Sequence, residues 1–298
     1  MSEPDLELAG PSEAEWLSLV REVSADNTRY FSENQLYCRY ARGKVVVTRY
    51  ISRRGKLGLI LIAVGLLIWV YGLKRDWGLT LVLGIATTLT GVAQVGAGVV
   101  TRRDPAPREP VTRWLEKRRG EASLPTFLAG PTLAQQGAEL RPARVECLVL
   151  VEHDLLADLL LKNGAHEALS ALVVSERGYP EALAREAQRV LDERSDLKVI
   201  AVHDSTERGV ASKARWAASP VLSLAGREIV DAGLFAADVG QIEELARAFP
   251  ASAFTRVPLD ALSLPTLLAG LSGVTRGAFS LSTGIHGEVP AASAEAAA

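Results

Sequence analysis

Two uncharged apolar runs set the terms for everything else in this chain. LGLILIAVGLLIWVYGL extends from Leu57 to Leu73, and WGLTLVLGIATTLTGVAQVGAGVV from Trp77 to Val100. Each falls in the range of ~17–25 residues that carries a helix across a hydrocarbon core about 30 Å thick. A helix buried in a soluble core would show a polar stripe. Here the polar side chains are Gln94 and the threonines, and a threonine returns its hydroxyl to its own helix. Trp69, Tyr71 and Trp77 cluster around the intervening turn, where amphipathic rings favour the lipid headgroup level. Lys74-Arg75-Asp76 is too short a turn to fold on its own, so the two spans are predicted to be antiparallel neighbours. Gly84, Gly91, Gly96 and Gly98 permit close helix packing within the hairpin or between protomers.

Charge orients this hairpin. Arg49, Arg53, Arg54 and Lys56 precede it, while Arg102, Arg103, Arg108, Arg113, Lys117, Arg118 and Arg119 follow it. They outnumber Lys74 and Arg75 in the turn, so the positive-inside rule places both flanks, and both termini, in the cytoplasm. The first run starts far from an acidic amino terminus, which argues against a cleaved signal peptide. The expectation is an integral membrane protein whose first partner is the lipid bilayer, the inner membrane if the chain is bacterial. Its net charge of −2 conceals the basic flanks. The two cysteines, Cys38 and Cys147, are far apart and lack metal-ligand spacing, so neither a disulfide framework nor a zinc site is indicated.

Five segments are expected. Residues 1–55 form an amino-terminal cytoplasmic helical segment, with capping boxes at Ser12/Glu15 and Ser32 ahead of apolar-faced helices and a β-favouring Val45-Val46-Val47. Residues 56–100 are the transmembrane hairpin. Residues 101–143 are a basic, proline-rich linker in which VTRWLEKRR suits a helix at the headgroups or a solvated charged stretch. Residues 144–271 are an α/β domain with a mostly parallel sheet. Its strands are CLVLV (Cys147–Val151), ALVV (Ala171–Val174) and VIAV (Val199–Val202), with helices between them. A further edge strand is predicted near Val221–Ser223, a helix over Val239–Phe249, and a β-like piece at FTRVPL. Residues 272–298, rich in Gly, Ser and Ala, are expected to be disordered.

In open parallel sheets, ligand-binding groups collect beyond the carboxyl ends of the strands. The three legible ends carry Glu152-His153-Asp154, Ser175-Glu176-Arg177-Gly178-Tyr179-Pro180 and His203-Asp204-Ser205-Thr206-Glu207-Arg208-Gly209. With the first and third strands adjacent, Glu152 and Asp204 face one another as hard oxygen ligands suited to Mg²⁺. The bland alternative is that both carboxylates cap the helices that follow them. His153 and His203 adjoin them in sequence, but successive strand residues point to opposite faces, so both read as surface or packing residues. No P-loop, dinucleotide fingerprint or nucleophile elbow is present.

That order of features resembles the Toprim domain, in particular the version in the topoisomerase VI A subunit and the related meiotic double-strand-break proteins. In that family a glutamate ends the first strand, Gly-Tyr-Pro follows the second, and Asp-x-Asp-Pro-x-Gly follows the third. Here Glu152 takes the glutamate's place, Gly178-Tyr179-Pro180 matches the turn, and Asp204 and Gly209 match the first aspartate and the glycine. The later LAGREIVDAGLFAADVGQI is weakly similar to a segment that follows Toprim in the family, so the likeness covers roughly residues 144–245. It implies a possible Mg²⁺ site at Glu152, Asp204 and Glu207, and a binding surface at Gly178, Tyr179, Pro180, Thr206 and Gly209. The chain departs from the pattern where Thr206 replaces the second aspartate and Glu207 the proline. The family's nucleophilic tyrosine is matched only faintly by Glu33-Asn34-Gln35-Leu36-Tyr37-Cys38, which puts Cys38 in its place. The resemblance therefore implies a degenerate, topoisomerase-like module that binds or regulates without catalytic residues, recognising a phosphate-bearing ligand or nucleic acid. Two alternatives stand beside it: an active Mg²⁺-dependent nuclease or phosphotransfer enzyme, and a scaffold subunit with protein partners in a membrane complex.

Overall fold

A computed structural model describes residues 11–44, 46–75, 78–119, 124–134, 136–224, 226–278 and 280–286. They form two compact units, one being Val46–Asp104 and the other gathering the chain on either side of it.

Two helices open the second of these units, α1 (Glu13–Val23) and α2 (Glu33–Ala41), each begun by a complete capping box at Ser12/Glu15 and Ser32/Gln35. The chain then enters the smaller unit through β1 (Val46–Ile51), crosses α3 (Arg53–Arg75) and α4 (Gly78–Gly98), and leaves by β2 (Val99–Asp104). The strands pair antiparallel from Val46↔Asp104 to Ile51↔Val99, a ribbon that continues the helical hairpin. Asp76 and Trp77 of the turn lie outside the described residues. Glycine decides how α3 and α4 meet. A Cβ on Gly58 would lie 2.7 Å from the Gly91 carbonyl oxygen, one on Gly91 2.7 Å from that of Gly58, and one on Gly84 2.7 Å from the Trp69 nitrogen. These glycines, seven apart on each helix with Gly65 joining them, let the backbones touch. Gly84 and Gly91 therefore serve packing within the hairpin, whereas nothing lies within 4 Å of a Cβ on Gly96. Thr87, Thr88 and Thr90 each donate to the carbonyl four residues back at 2.8 Å. Both helices are long and apolar enough to cross a membrane. Among the described residues, Val210 is the one exposed large hydrophobic side chain outside Ile51–Val92.

The segments flanking the hairpin do not stand apart from the α/β domain, as the five-segment division expects; they fold with it. Helix α5 (Glu109–Arg118) buries Val111, Trp114 and Leu115, so it is neither a headgroup helix nor a solvated linker. Trp16 of α1 stacks between Tyr40 (centroids 5.2 Å apart) and Trp114 (5.4 Å), and Trp114 Nε1–H donates to Glu13 at 3.2 Å. Burying such rings is worth about 1.5–3 kcal/mol each, and the charged face of α5 stays in solvent. Beyond α5, Phe127 bridges to Phe31, and the Thr132 N–H donates to the Asp158 carboxylate at 2.6 Å.

The sheet comprises β3 (Cys147–Val151), β4 (Ala171–Ser175), β5 (Lys198–Val202) and β6 (Ile229–Asp231), in the order β4-β3-β5-β6 and parallel throughout. Between the strands run α6 (Asp154–Lys162) with the short α7 (Ala165–Ala168), α8 (Glu181–Glu193), and the pair α9 (Glu207–Val210) and α10 (Ser212–Ala217). β3 and β4 are buried along their whole length, as strands covered on both faces must be.

Four expectations fail downstream. The fourth strand is Ile229–Asp231 and not Val221–Ser223. The helix predicted over Val239–Phe249 is two short ones, α11 (Ala236–Val239) and α12 (Glu243–Ala248), and FTRVPL begins within a 3₁₀ segment, Ala251–Arg256. Residues 272–278 and 280–286 are not disordered: α13 (Leu264–Thr275) and α14 (Leu281–His286) pack through Gly270, Gly273 and Gly284, so the glycines serve close approach and not flexibility. Residues 287–298 lie outside the described residues. Cys38 and Cys147 are free and buried; burial pushes their thiols up to about 12 and about 11, which makes both inert.

Candidate functional site

Adjacent parallel strands bring the acidic turns together. Val151 of β3 pairs with Val202 of β5, so Glu152 and Asp204 emerge side by side at the carboxyl edge of the sheet. Ligand atoms of Glu152, His153 and Asp204 lie within 4.8 Å of one another, a set able to hold a metal ion. Glu207, which the resemblance includes among the ligands, is exposed on the first turn of α9 and is not in that set. His153 belongs to it instead of lying on the opposite face, because β3 ends at Val151 and strand alternation stops with it.

Neither carboxylate caps a helix. Thr206 caps α9 by accepting the Gly209 N–H at 3.0 Å, and the cap position of α6 is His153, with no side-chain bond. Asp204 is instead held from behind: its Oδ1 accepts the Leu259 N–H at 2.6 Å, and its Oδ2 lies 3.3 Å from His153 Nε2. That contact raises the His153 pKa against the pull of partial burial. Gly209 permits the tight start of α9, since a Cβ there would collide with the Asp204 carbonyl.

Glu152 is the anomaly. Its side chain is 1% exposed, and its closest partners are distant: Asp204 N–H and Arg208 Nε at 3.4 Å, and Arg215 Nη2 at 3.5 Å. Charge-assisted bonds normally run about 2.7–2.9 Å, and an under-bonded buried carboxylate is costly. Glu176 takes the stronger share of the same arginines, with Arg215 Nε against Oε1 and Nη2 at 3.2 Å from Oε2. Burial alone would raise the Glu176 pKa, but the bonds and charges of Arg215 and Arg208 together outweigh it and hold the carboxyl low.

Beside this cluster opens a cavity of about 270 Å³ lined by Pro131, Glu152, His153, Asp154, Leu155, Glu176, Arg177 and Arg208. A larger hollow of about 630 Å³ lies at the opposite edge of the sheet. None of Glu152, His153 and Asp204 lines it, whereas Glu152 and His153 line the smaller cavity.

The remaining motif residues do structural work. Gly178 adopts φ +78° ahead of a cis Tyr179-Pro180 bond, and Pro180 sits at the amino cap of α8. Tyr179 Oη donates to Asp158 and accepts the Leu133 N–H, both at 2.5 Å; burial and the Asp158 bond push its pKa up. The turn thus fastens the segment around Leu133 to the domain, and none of its three residues lines the cavity. Near the faint nucleophile match, Tyr37 Oη donates to the Ala106 carbonyl at 2.7 Å inside the core. His203 is fully buried, with Nδ1 at 2.6 Å from the Asp204 carbonyl and Nε2 at 2.9 Å from Asp231. Burial pulls its pKa down, yet these two bonds raise it overall. Gly233 makes room for the ring.

Asp260 is the residue no motif announces. Burial raises its pKa, Asn34 of α2 donates to its Oδ1 at 2.8 Å, and Ser32 Oγ to its carbonyl at 3.1 Å. It anchors the turn whose Leu259 N–H holds Asp204. No protein-family model matches the chain, and no curated protein or solved structure is significantly similar to it.

Proposed function

We propose that this is a membrane-anchored binding module whose α/β domain, a degenerate Toprim-like one, takes a divalent cation at Glu152, His153 and Asp204 together with a phosphate-bearing ligand. The observation that carries the reading is Glu152: a buried carboxylate with no partner closer than 3.4 Å among the described residues, beside two further ligand groups within 4.8 Å. A small divalent ion supplies the charge such a group lacks. Two carboxylates suit Mg²⁺, and the imidazole widens the choice to Mn²⁺. Binding is favoured over Mg²⁺-dependent cleavage because Thr206 stands where a second aspartate would complete the ligand set and is used as a helix cap.

Membrane anchoring is supported by the concentration of exposed apolar side chains on α3 and α4, surface that water would penalise and lipid solvates. The basic flanks favour a cytoplasmic location for both ends. The test is titration of the full chain in detergent with Mn²⁺, following free Mn²⁺ by electron paramagnetic resonance. Saturable binding that Glu152→Gln and Asp204→Asn each weaken is expected, and binding indifferent to both substitutions would remove the proposal.

A further inference from the structure

The two arginines over Glu152 are not equivalent. Arg215 is clamped: it bonds both oxygens of Glu176, donates to the Arg208 carbonyl, and is 29% exposed. Arg208 is 67% exposed, and its head makes two long contacts, 3.4 Å to Glu152 Oε1 and 3.5 Å to Glu176 Oε2. The guanidinium stays in water although Glu152 is buried, and both contacts are longer than a charge-assisted hydrogen bond, so they are readily exchanged. Arg208 also lines the cavity with Arg177, which is 82% exposed and lies 3.9 Å from Asp154.

Charge makes the consequence specific. Four carboxylates, Glu152, Asp154, Glu176 and Asp204, are set against the three guanidiniums of Arg177, Arg208 and Arg215, which leaves one negative charge in excess. A divalent ion at Glu152 needs the oxygen that Arg208 now faces, and leaves that guanidinium its 3.5 Å contact to Glu176, a carboxylate already bonded by Arg215. An anion in the cavity offsets the charge that the ion adds and offers the planar guanidinium a two-pronged partner. A phosphate monoester that engages the guanidinium through two oxygens keeps a third for the ion; a carboxylate has two in all.

We propose that Arg208 is an exchangeable counter-ion that neutralises Glu152 in the ligand-free protein and turns to the phosphate of a small ligand when the cation binds, so that cation and phosphate bind as a pair. This rests on the cation reading of Glu152, His153 and Asp204. A cavity of about 270 Å³ suits a compact phosphate monoester better than a stacked nucleic acid, a difference that methyl phosphate and an oligonucleotide can separate.

The experiment is Mn²⁺ titration of the full chain in detergent, with and without methyl phosphate, using acetate at equal ionic strength as the control. In the unsubstituted chain methyl phosphate is expected to raise Mn²⁺ affinity about ten-fold, and Mn²⁺ to raise methyl phosphate affinity by the same factor, as reciprocal coupling requires. Arg208→Ala is expected to bind Mn²⁺ about five-fold more tightly without anion, the equivalent of one long, weak contact released, and to lose most of the phosphate effect. Arg208→Gln, which keeps the stem, should do the same if the first variant folds poorly. Equal Mn²⁺ affinities and equal phosphate responses in the variants and the parent overturn the pairing while leaving the cation site standing. Absence of Mn²⁺ binding in parent and variants alike, or binding untouched by Asp204→Asn, overturns the cation reading and the pairing with it. An oligonucleotide that enhances Mn²⁺ binding where methyl phosphate does not overturns the small-ligand assignment.

Discussion

Tyr179→Phe separates the structural role of the Gly-Tyr-Pro turn from the binding role that the motif implies. The substitution deletes one oxygen, and with it the bond to Asp158 and the acceptor of the Leu133 N–H, both at 2.5 Å. Asp158 is completely buried but keeps the N–H and hydroxyl of Thr132 on its other oxygen, at 2.6 and 2.8 Å. Losing a bond to a charged group costs about 1.5–3 kcal/mol, and an orphaned N–H about 1–3 kcal/mol more. Tyr179 is partly exposed, so water recovers some of the second term and the total is about 3 kcal/mol. At ~2–4 °C per kcal/mol for a unit of this size, the melting temperature should fall by about 6–12 °C. Thermal denaturation followed by near-ultraviolet circular dichroism reads the shift, and Mn²⁺ titration of the same sample below its transition should give the parent's affinity. An unchanged melting temperature with lost binding would refute the reasoning and return the turn to the binding surface.

Gly91→Leu should prevent the hairpin from closing, because a Cβ there already lies 2.7 Å from the Gly58 oxygen; protease resistance in membranes should be lost, whereas Gly96→Leu, in open space, should be tolerated. Thr206→Ala removes the α9 cap and should cost about 1 kcal/mol of stability without altering Mn²⁺ affinity; a large loss of affinity would make Thr206 a ligand. His203 has both ring nitrogens against acceptors and a raised pKa. In chelator, its contribution to stability should be complete below the ordinary imidazole value of about 6.5 and be lost as pH rises through the higher folded value. Melting temperatures of the parent should fall over that window relative to His203→Gln, and parallel curves would count against the charged pair.

Much of the sheet and the meeting of Glu152 with Asp204 could be read from CLVLV, ALVV and VIAV, since a strand buried on both faces must be apolar throughout. What escaped reading depends on partners remote in sequence. VTRWLEKRR looks solvated until Trp16 and Glu13 are placed against Trp114. β6 is three residues long within a charged stretch, too short to show an alternation. Gly270, Gly273 and Gly284 resemble a flexible tail in composition and are contact points between helices in fact. His153 is an exposed histidine, as its place in the sequence implies, but it lies beside Asp204 because β3 ends at Val151 and strand alternation ends with it. Asp260 has no local signature, because its importance comes from Asn34 and from the Leu259 N–H on Asp204.

Asp260 also bears on what the hairpin is for. The site is supported by α2, which lies before the hairpin in sequence, and the core is closed by α5, which lies after it. Tyr37 bonds Ala106 at 2.7 Å, Asn34 accepts from Arg108 at 2.7 Å, and Glu33 accepts from Thr112 at 2.6 Å, so the two flanks hold each other directly. Val46 and Asp104 are partners in the ribbon, and partnered strand residues lie about 4.5–5.5 Å apart. The gap left by removing residues 46–104 can therefore be closed by a short turn of the kind that joins two antiparallel strands. A chain in which a Gly-Asn-Gly-Ser turn replaces residues 46–104 should be monodisperse without detergent. Its Mn²⁺ affinity should stay within about two-fold of the parent's, as expected for sites that do not interact. Aggregation or loss of the near-ultraviolet signal would show instead that the hairpin is part of the fold and not an anchor inserted into one.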